Sequence, residues 1–224
     1  MAERVVDVVL VVALLMFSAI VHECAHGWMA LRLGDPTAKE AGRLTLNPAA
    51  HVDPVGSVAL PLLMALVGGP IFAYAKPVPF NPRRLRHPAR DEALVALAGP
   101  ASNLVQAVAG AAVLALVWDG LVAFAPTAVV AWRWASLVLS TYVYVNLSLA
   151  FFNLIPVPPL DGSKLLSPVL RGRGRAVYDW LQRYGMPVLV ACLYVLPALG
   201  VDPIGAYLDA TVGTCFSWLM SWVG

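Results

Sequence analysis

Long apolar runs separated by short charged stretches set the plan of this chain. Six runs are long enough to consider as membrane spans: Val5–Leu31, Val55–Tyr74, Ala93–Val117, Ala128–Ile155, Tyr184–Leu199 and Ile204–Trp222. Between them lie Arg32–Pro54, Lys76–Glu92, Trp118–Thr127, Pro156–Arg183 and Gly200–Pro203. Basic residues are spread unevenly over these connections. Arg32, Lys39 and Arg43 mark the first, Lys76, Arg83, Arg84, Arg86 and Arg90 the second, and Lys164, Arg171, Arg173, Arg175 and Arg183 the fourth, whereas the third and fifth carry none. Because Lys and Arg accumulate on the cytoplasmic side, the first, second and fourth connections are expected to be cytoplasmic. The first two flank Val55–Tyr74 and would face opposite sides if that run crossed. Its Pro61 and Gly68-Gly69-Pro70 interrupt a helix, so it is expected to dip in and return as a re-entrant hairpin. The expected fold is an all-α polytopic membrane protein with about five transmembrane helices, N-terminus outside and C-terminus inside. The alternation Arg43-Leu44-Thr45-Leu46, after Gly42 and before Asn47-Pro48, adds a short β element.

Composition supports the bilayer as solvent. Of 224 residues, 60% are apolar and 12% charged, where a soluble domain carries about 25% charged residues. That leaves room for a single membrane-embedded domain over residues 1–224 and none for a separate soluble one. The first run is too long for a signal peptide and has no small-residue cleavage site, so it is expected to stay in the mature chain. Cys24, Cys192 and Cys215 are odd in number and sit far apart inside apolar runs, which suits packing rather than disulfides or a cysteine zinc cluster. A formal charge of +2 gives no reason to expect a nucleic-acid partner.

Against this background the run Val21-His22-Glu23-Cys24-Ala25-His26 stands out, because two imidazoles and a carboxylate are costly at membrane depth unless they have chemistry to do. Residues four apart on a helix are turned by about 40° and share a face, so His22 and His26 can reach one zinc ion. Glu23, about 60° further round the helix than His26, borders that face, as a general base for water requires, and Cys24 points elsewhere. Catalytic zinc usually takes three protein ligands and keeps one position open. His87 lies in the basic stretch Arg83–Arg90 and reads as solvated; His51 precedes Val52-Asp53-Pro54 and reads as a structural or outer-layer residue. Asp161 is the stronger candidate. It follows Asn153-Leu154-Ile155-Pro156-Val157-Pro158-Pro159-Leu160, where three prolines hold an extended, stiff backbone, and precedes Gly162, which permits close approach. Taken alone, Asp161 reads equally well as the N-cap of a following helix. Topology decides between the two: with five spans the first and fourth runs point the same way and bring the histidines and Asp161 to one membrane face, whereas six spans would set them near opposite faces.

HECAH in an apolar helix followed by NLIPVPPLDG resembles the site-2 protease family of intramembrane zinc metalloproteases, whose pattern is HExxH plus NxxPxPxxDG. GRLTLNPAAHVDPVG, AKPVPFNP and ALAGPASN look like its compact bacterial and archaeal members, and the resemblance covers about Leu14 to Leu166. It implies one zinc ion per chain held by His22, His26 and Asp161, water activated by Glu23, and Asn153 beside the reacting carbonyl. The expected substrates are transmembrane proteins of a bacterial or archaeal cell membrane; because water must reach the metal, the Pro-rich loop and the re-entrant hairpin are expected to line a cavity open to the cytoplasm. The chain carries none of the PDZ or CBS domains found in some members, and its last two apolar runs match no motif. The rival reading is a zinc transporter or membrane zinc sensor, which needs a second polar row across the bilayer; no ionisable residue lies well inside Ala93–Val117 or Tyr184–Leu199. An inactive scaffold is the third reading, and it has no use for an intact Glu23.

Overall fold

The computed structural model describes residues 2–53, 56, 59, 63, 76–124 and 128–223, and every regular element among them is helical. α1 is Ala2–Arg32, α2 Thr37–Glu40, α3 Pro88–Phe124, α4 Val129–Asn153, α5 Asp161–Leu166 and α6 Arg173–Ala198. The chain ends in α7, Pro203–Leu208, and α8, Thr214–Met220, joined through π-helical turns at Asp209–Gly213. Among the described residues, four helices are long and apolar enough to cross a membrane: Val6–Arg32, Pro88–Gly120, Val129–Asn153 and Arg173–Ala198. The final run, expected as a fifth span, is helical but not among these four. Its Val212 and Leu219 pack into a buried cluster with Ala107 and Ala111 of α3 and Val143 and Leu147 of α4.

Contacts along the bundle fix helix directions. His26 meets Val95, His22 meets Asn103, and Asn103 and Gln106 meet Asn146 and Tyr142. α3 therefore runs antiparallel to both α1 and α4, and the end of α1, the start of α3 and the end of α4 share one end of the bundle. α1 stops where Gly34, at φ 112°, takes a left-handed turn and Asp35 N–H closes back on the Ala30 carbonyl at 2.9 Å.

Two helix starts differ from expectation, both because polar residues extend a helix beyond its apolar run. α3 begins at Pro88 rather than Ala93: proline suits a first turn, and there the Asp91 carboxylate accepts from the His87 N–H at 2.8 Å. α6 begins at Arg173 rather than Tyr184, its charged half held by pairs one turn apart, Arg175 with Asp179 at 2.9 Å and Gln182 with Tyr178 at 2.7 Å.

The strand expected over Gly42–Asn47 is not formed among the described residues. Local partners take several of its groups: Arg43 N–H donates to the Ala38 carbonyl at 2.9 Å, Asn47 N–H to Thr45 Oγ1 at 3.1 Å, and the Thr45 carbonyl faces His51 Nε2 at 2.7 Å. The expected hairpin at Val55–Tyr74 lies outside the described residues but for positions 56, 59 and 63. Its flanks meet, Lys76 N–H donating to the His51 carbonyl at 2.8 Å.

Candidate metal centre

His22 and His26 project from one face of α1, ring centroids 4.6 Å apart and nearly perpendicular. Each imidazole is held through its Nδ1. That of His26 donates to the Val95 carbonyl at 2.7 Å, and that of His22 lies 2.6 Å from Asn103 Oδ1. Pro100 has no N–H to offer the Ala96 carbonyl, and in the same loosened turn of α3 the Val95 carbonyl meets His26. With both protons on Nδ1, both Nε2 atoms present bare lone pairs, and they face each other at 2.9 Å. Asp161, at the first position of α5, completes a triangle: its Oδ2 is 3.2 Å from His22 Nε2 and 3.1 Å from His26 Nε2. Three acceptors this close repel one another unless a proton or a metal cation sits among them, and two imidazoles with a carboxylate are a donor set that suits zinc. The residues fit the ion.

The setting of this triangle is buried and tight. A Cβ on Gly99 of α3 would stand 2.5 Å from His22 Cε1 and Nε2 and from His26 Cε1, so only glycine lets α3 pass over both rings. A Cβ on Gly162 would collide with the Leu154 carbonyl oxygen, which is how closely the Pro-rich turn after α4 folds back to deliver Asp161. Lys164 Nζ lies 3.4 Å from Asp161 Oδ1 and also stands over the Phe80 ring.

Glu23 joins the pair, with a carboxylate oxygen within 4.8 Å of a ring nitrogen of each histidine. Its Oε2 accepts from the Val78 N–H at 2.9 Å, so the stretch after Lys76 orients it. Leu44 and Val78 both press on Gly27, where a Cβ would be 2.7 Å from each. The stretches around Leu44 and Val78 therefore lie together against α1, one turn beyond Glu23.

Of the other sequence candidates, His51 is fully buried but bonds the Thr45 carbonyl beside Cys24, away from the Nε2 pair, and the His87 side chain is 70% exposed. Asn153 ends α4 with its amide donating to the Leu149 carbonyl at 3.0 Å. Gly99, Asn103, Asn146 and Lys164 were not singled out from sequence. The available signal was Gly99 and Asn103 one turn apart in a largely apolar run.

The pattern of Peptidase family M50 matches residues 10–196. The chain belongs to this family. Membership bears out the resemblance to site-2 proteases: the protein is a membrane metallopeptidase rather than a transporter or scaffold. Among its relatives is the Bacillus subtilis protein named "Putative zinc metalloprotease YwhC", 36% identical over 198 residues, which are 87% of this chain and 81% of that one. The Mycolicibacterium smegmatis protein named "Putative zinc metalloprotease Rip2" is 31% identical over 191 residues, 85% of this chain and 68% of that one. Rip2 of Mycobacterium tuberculosis strain H37Rv is 30% identical over 194 residues, again 85% and 68%. No solved structure matches the chain significantly.

Proposed function

We propose that this zinc metalloendopeptidase hydrolyses peptide bonds in or near the transmembrane segments of other membrane proteins. The observation that carries the reading is the convergence of His22 Nε2, His26 Nε2 and Asp161 Oδ2 within 3.2 Å of one another, with both histidines on a helix apolar enough to span a bilayer. These three residues hold the metal. When bound, zinc supplies a Lewis acid for the scissile carbonyl and lowers the pKa of water toward neutrality. Glu23, steered by Val78 N–H, keeps a second carboxylate oxygen for taking the proton from water and handing it to the leaving amine. Asn153 spends one Nδ2 proton on the Leu149 carbonyl and keeps the second to donate to the developing oxyanion.

The site opens toward the cytoplasm in this account, because the ends of α1 and α4 carry the basic connections. The His51–Lys76 hydrogen bond supports a Val55–Tyr74 segment that leaves and re-enters on one side. A helical substrate keeps its carbonyls hydrogen-bonded, so it must unwind locally before water can attack. The backbone groups of Leu44 and Leu46 make no hydrogen bond among the described residues, and they lie on the stretch that packs beside Val78 and Glu23. An unwound substrate strand can add to that edge. The test is to map the cut by mass spectrometry in single-span substrates whose helix carries either Gly or a polyleucine core. Cuts within the span, faster with Gly, are expected; cuts confined to soluble loops would refute the intramembrane reading.

A further inference from the structure

His26 and His22 obtain the same tautomer by different means. A main-chain carbonyl can only accept, so Val95 dictates in one step that His26 carries its proton on Nδ1. The partner of His22 is a carboxamide, whose two ends are nearly alike in shape and opposite in chemistry. Were Asn103 turned over, its amide would donate to Nδ1, the His22 proton would move to Nε2, and the atom facing His26 and Asp161 would no longer be a ligand. Something must set the sense of Asn103.

A buried chain of hydrogen bonds does so. Asn103 Nδ2 donates to Asn146 Oδ1 at 2.9 Å, and Asn146 Nδ2 donates to both the Tyr142 carbonyl and Ser18 Oγ, each at 2.9 Å. Asn103, Asn146 and Ser18 are completely buried, so no solvent offers an alternative partner. The Tyr142 carbonyl cannot reverse its polarity, which fixes Asn146; Asn146 fixes Asn103; Asn103 fixes His22. The geometry points to Asn146 of α4 as a positioning residue for the metal: through Asn103 it sets the His22 tautomer that leaves Nε2 free to bind zinc. This rests on the assignment of His22 as a ligand and extends it to a residue that touches no ligand itself.

The test is a double-mutant cycle read by zinc affinity, with the full-length protein in detergent, stripped of metal and titrated against a chromophoric zinc chelator. Asn146→Leu removes the acceptor that orients Asn103 and is expected to weaken zinc binding about tenfold, the lower end of what loss of an outer-layer partner costs. In the Asn103→Asp background the acceptor is a carboxylate with two equivalent oxygens, and no orienting partner is needed. There Asn146→Leu is expected to leave zinc affinity unchanged or improved. An equal loss in both backgrounds would show that Asn146 only supports packing, and no loss in the parent background would overturn the relay outright. If Asn146→Leu does not fold, the same cycle run with Asn146→Ala decides by the same criteria. A parent protein that binds no zinc would refute the metal site itself, an outcome distinct from a flat cycle on a zinc-binding parent.

Discussion

Gly99→Ala tests whether the two rings occupy their metal-binding positions. The added methyl would stand 2.5 Å from His22 Cε1 and Nε2 and from His26 Cε1, against an ordinary carbon contact of about 3.5–4.0 Å. The rings or the helix must therefore give by about 1 Å. Overpacking of this kind costs about 1–3 kcal/mol. Without metal, a ring can relieve the clash by swinging away at the expense of one hydrogen bond. With metal, both rings are pinned, and the cost falls on binding. At about 1.4 kcal/mol per factor of ten, zinc affinity should drop about 5- to 150-fold. Competition titration gives the affinity, and thermal unfolding with and without zinc shows where the cost falls. The stabilisation that zinc confers should shrink, while the metal-free variant unfolds close to the metal-free parent. Zinc affinity within about twofold of the parent's, with the fold intact, would refute the reasoning.

Further outcomes follow from the same contacts. Asp161→Ala should lose most of its zinc, since two imidazoles leave an incomplete site, and metal analysis showing full occupancy would redirect attention to His51. Single cysteines placed at the exposed positions Ala41, Ala89 and Gly172 should all label from the cytoplasmic side; labelling of positions 41 and 89 from opposite sides would contradict the topology. Leu44→Pro should slow cleavage while zinc stays bound, because proline removes a donor from the proposed docking edge; parental turnover would sink strand addition. Asp35 gives a pH signature: burial would raise its carboxyl, but bonds from Thr37 and the Asn81 N–H lower it on balance. A group depressed in the folded state stabilises it above the unfolded pKa and loses that contribution as pH falls, here below about pH 4. The unfolding midpoint of the parent should exceed that of Asp35→Asn at pH 7 and approach it as the pH drops through that range; a constant difference would refute the linkage.

The HExxH spacing made the His22, Glu23 and His26 arrangement legible because helical periodicity is local and rigid. Asp161 was legible for a different reason, the Pro-rich break that must end a span, and the fold-back over Gly162 explains why the break places a carboxylate precisely here rather than in a loose loop. What could not be read was how α3 meets its neighbours. The helix is apolar nearly all round, so no stripe announces which face passes over the histidines; Gly99 and Asn103 become informative only once α1 and α4 are packed against it. Asn146 is further hidden, since it contacts the site through Asn103 alone. The helix starts at Pro88 and Arg173 were missed because their polar turns are stabilised by capping and one-turn pairs that hydropathy does not register. At Gly42–Asn47 the alternation was present, yet a strand needs a partner, and side chains of His51 and Thr45 occupy part of the edge.

The central claim is that Glu23 does the proton work at a metal held by its neighbours. One preparation of Glu23→Gln, assayed for zinc per chain and for cleavage of a purified single-span substrate beside the parent, tests it. One zinc per chain is expected in both proteins, with chelator-sensitive cleavage by the parent and a rate at least about 100-fold lower in the variant. Equal turnover by the two proteins would contradict it.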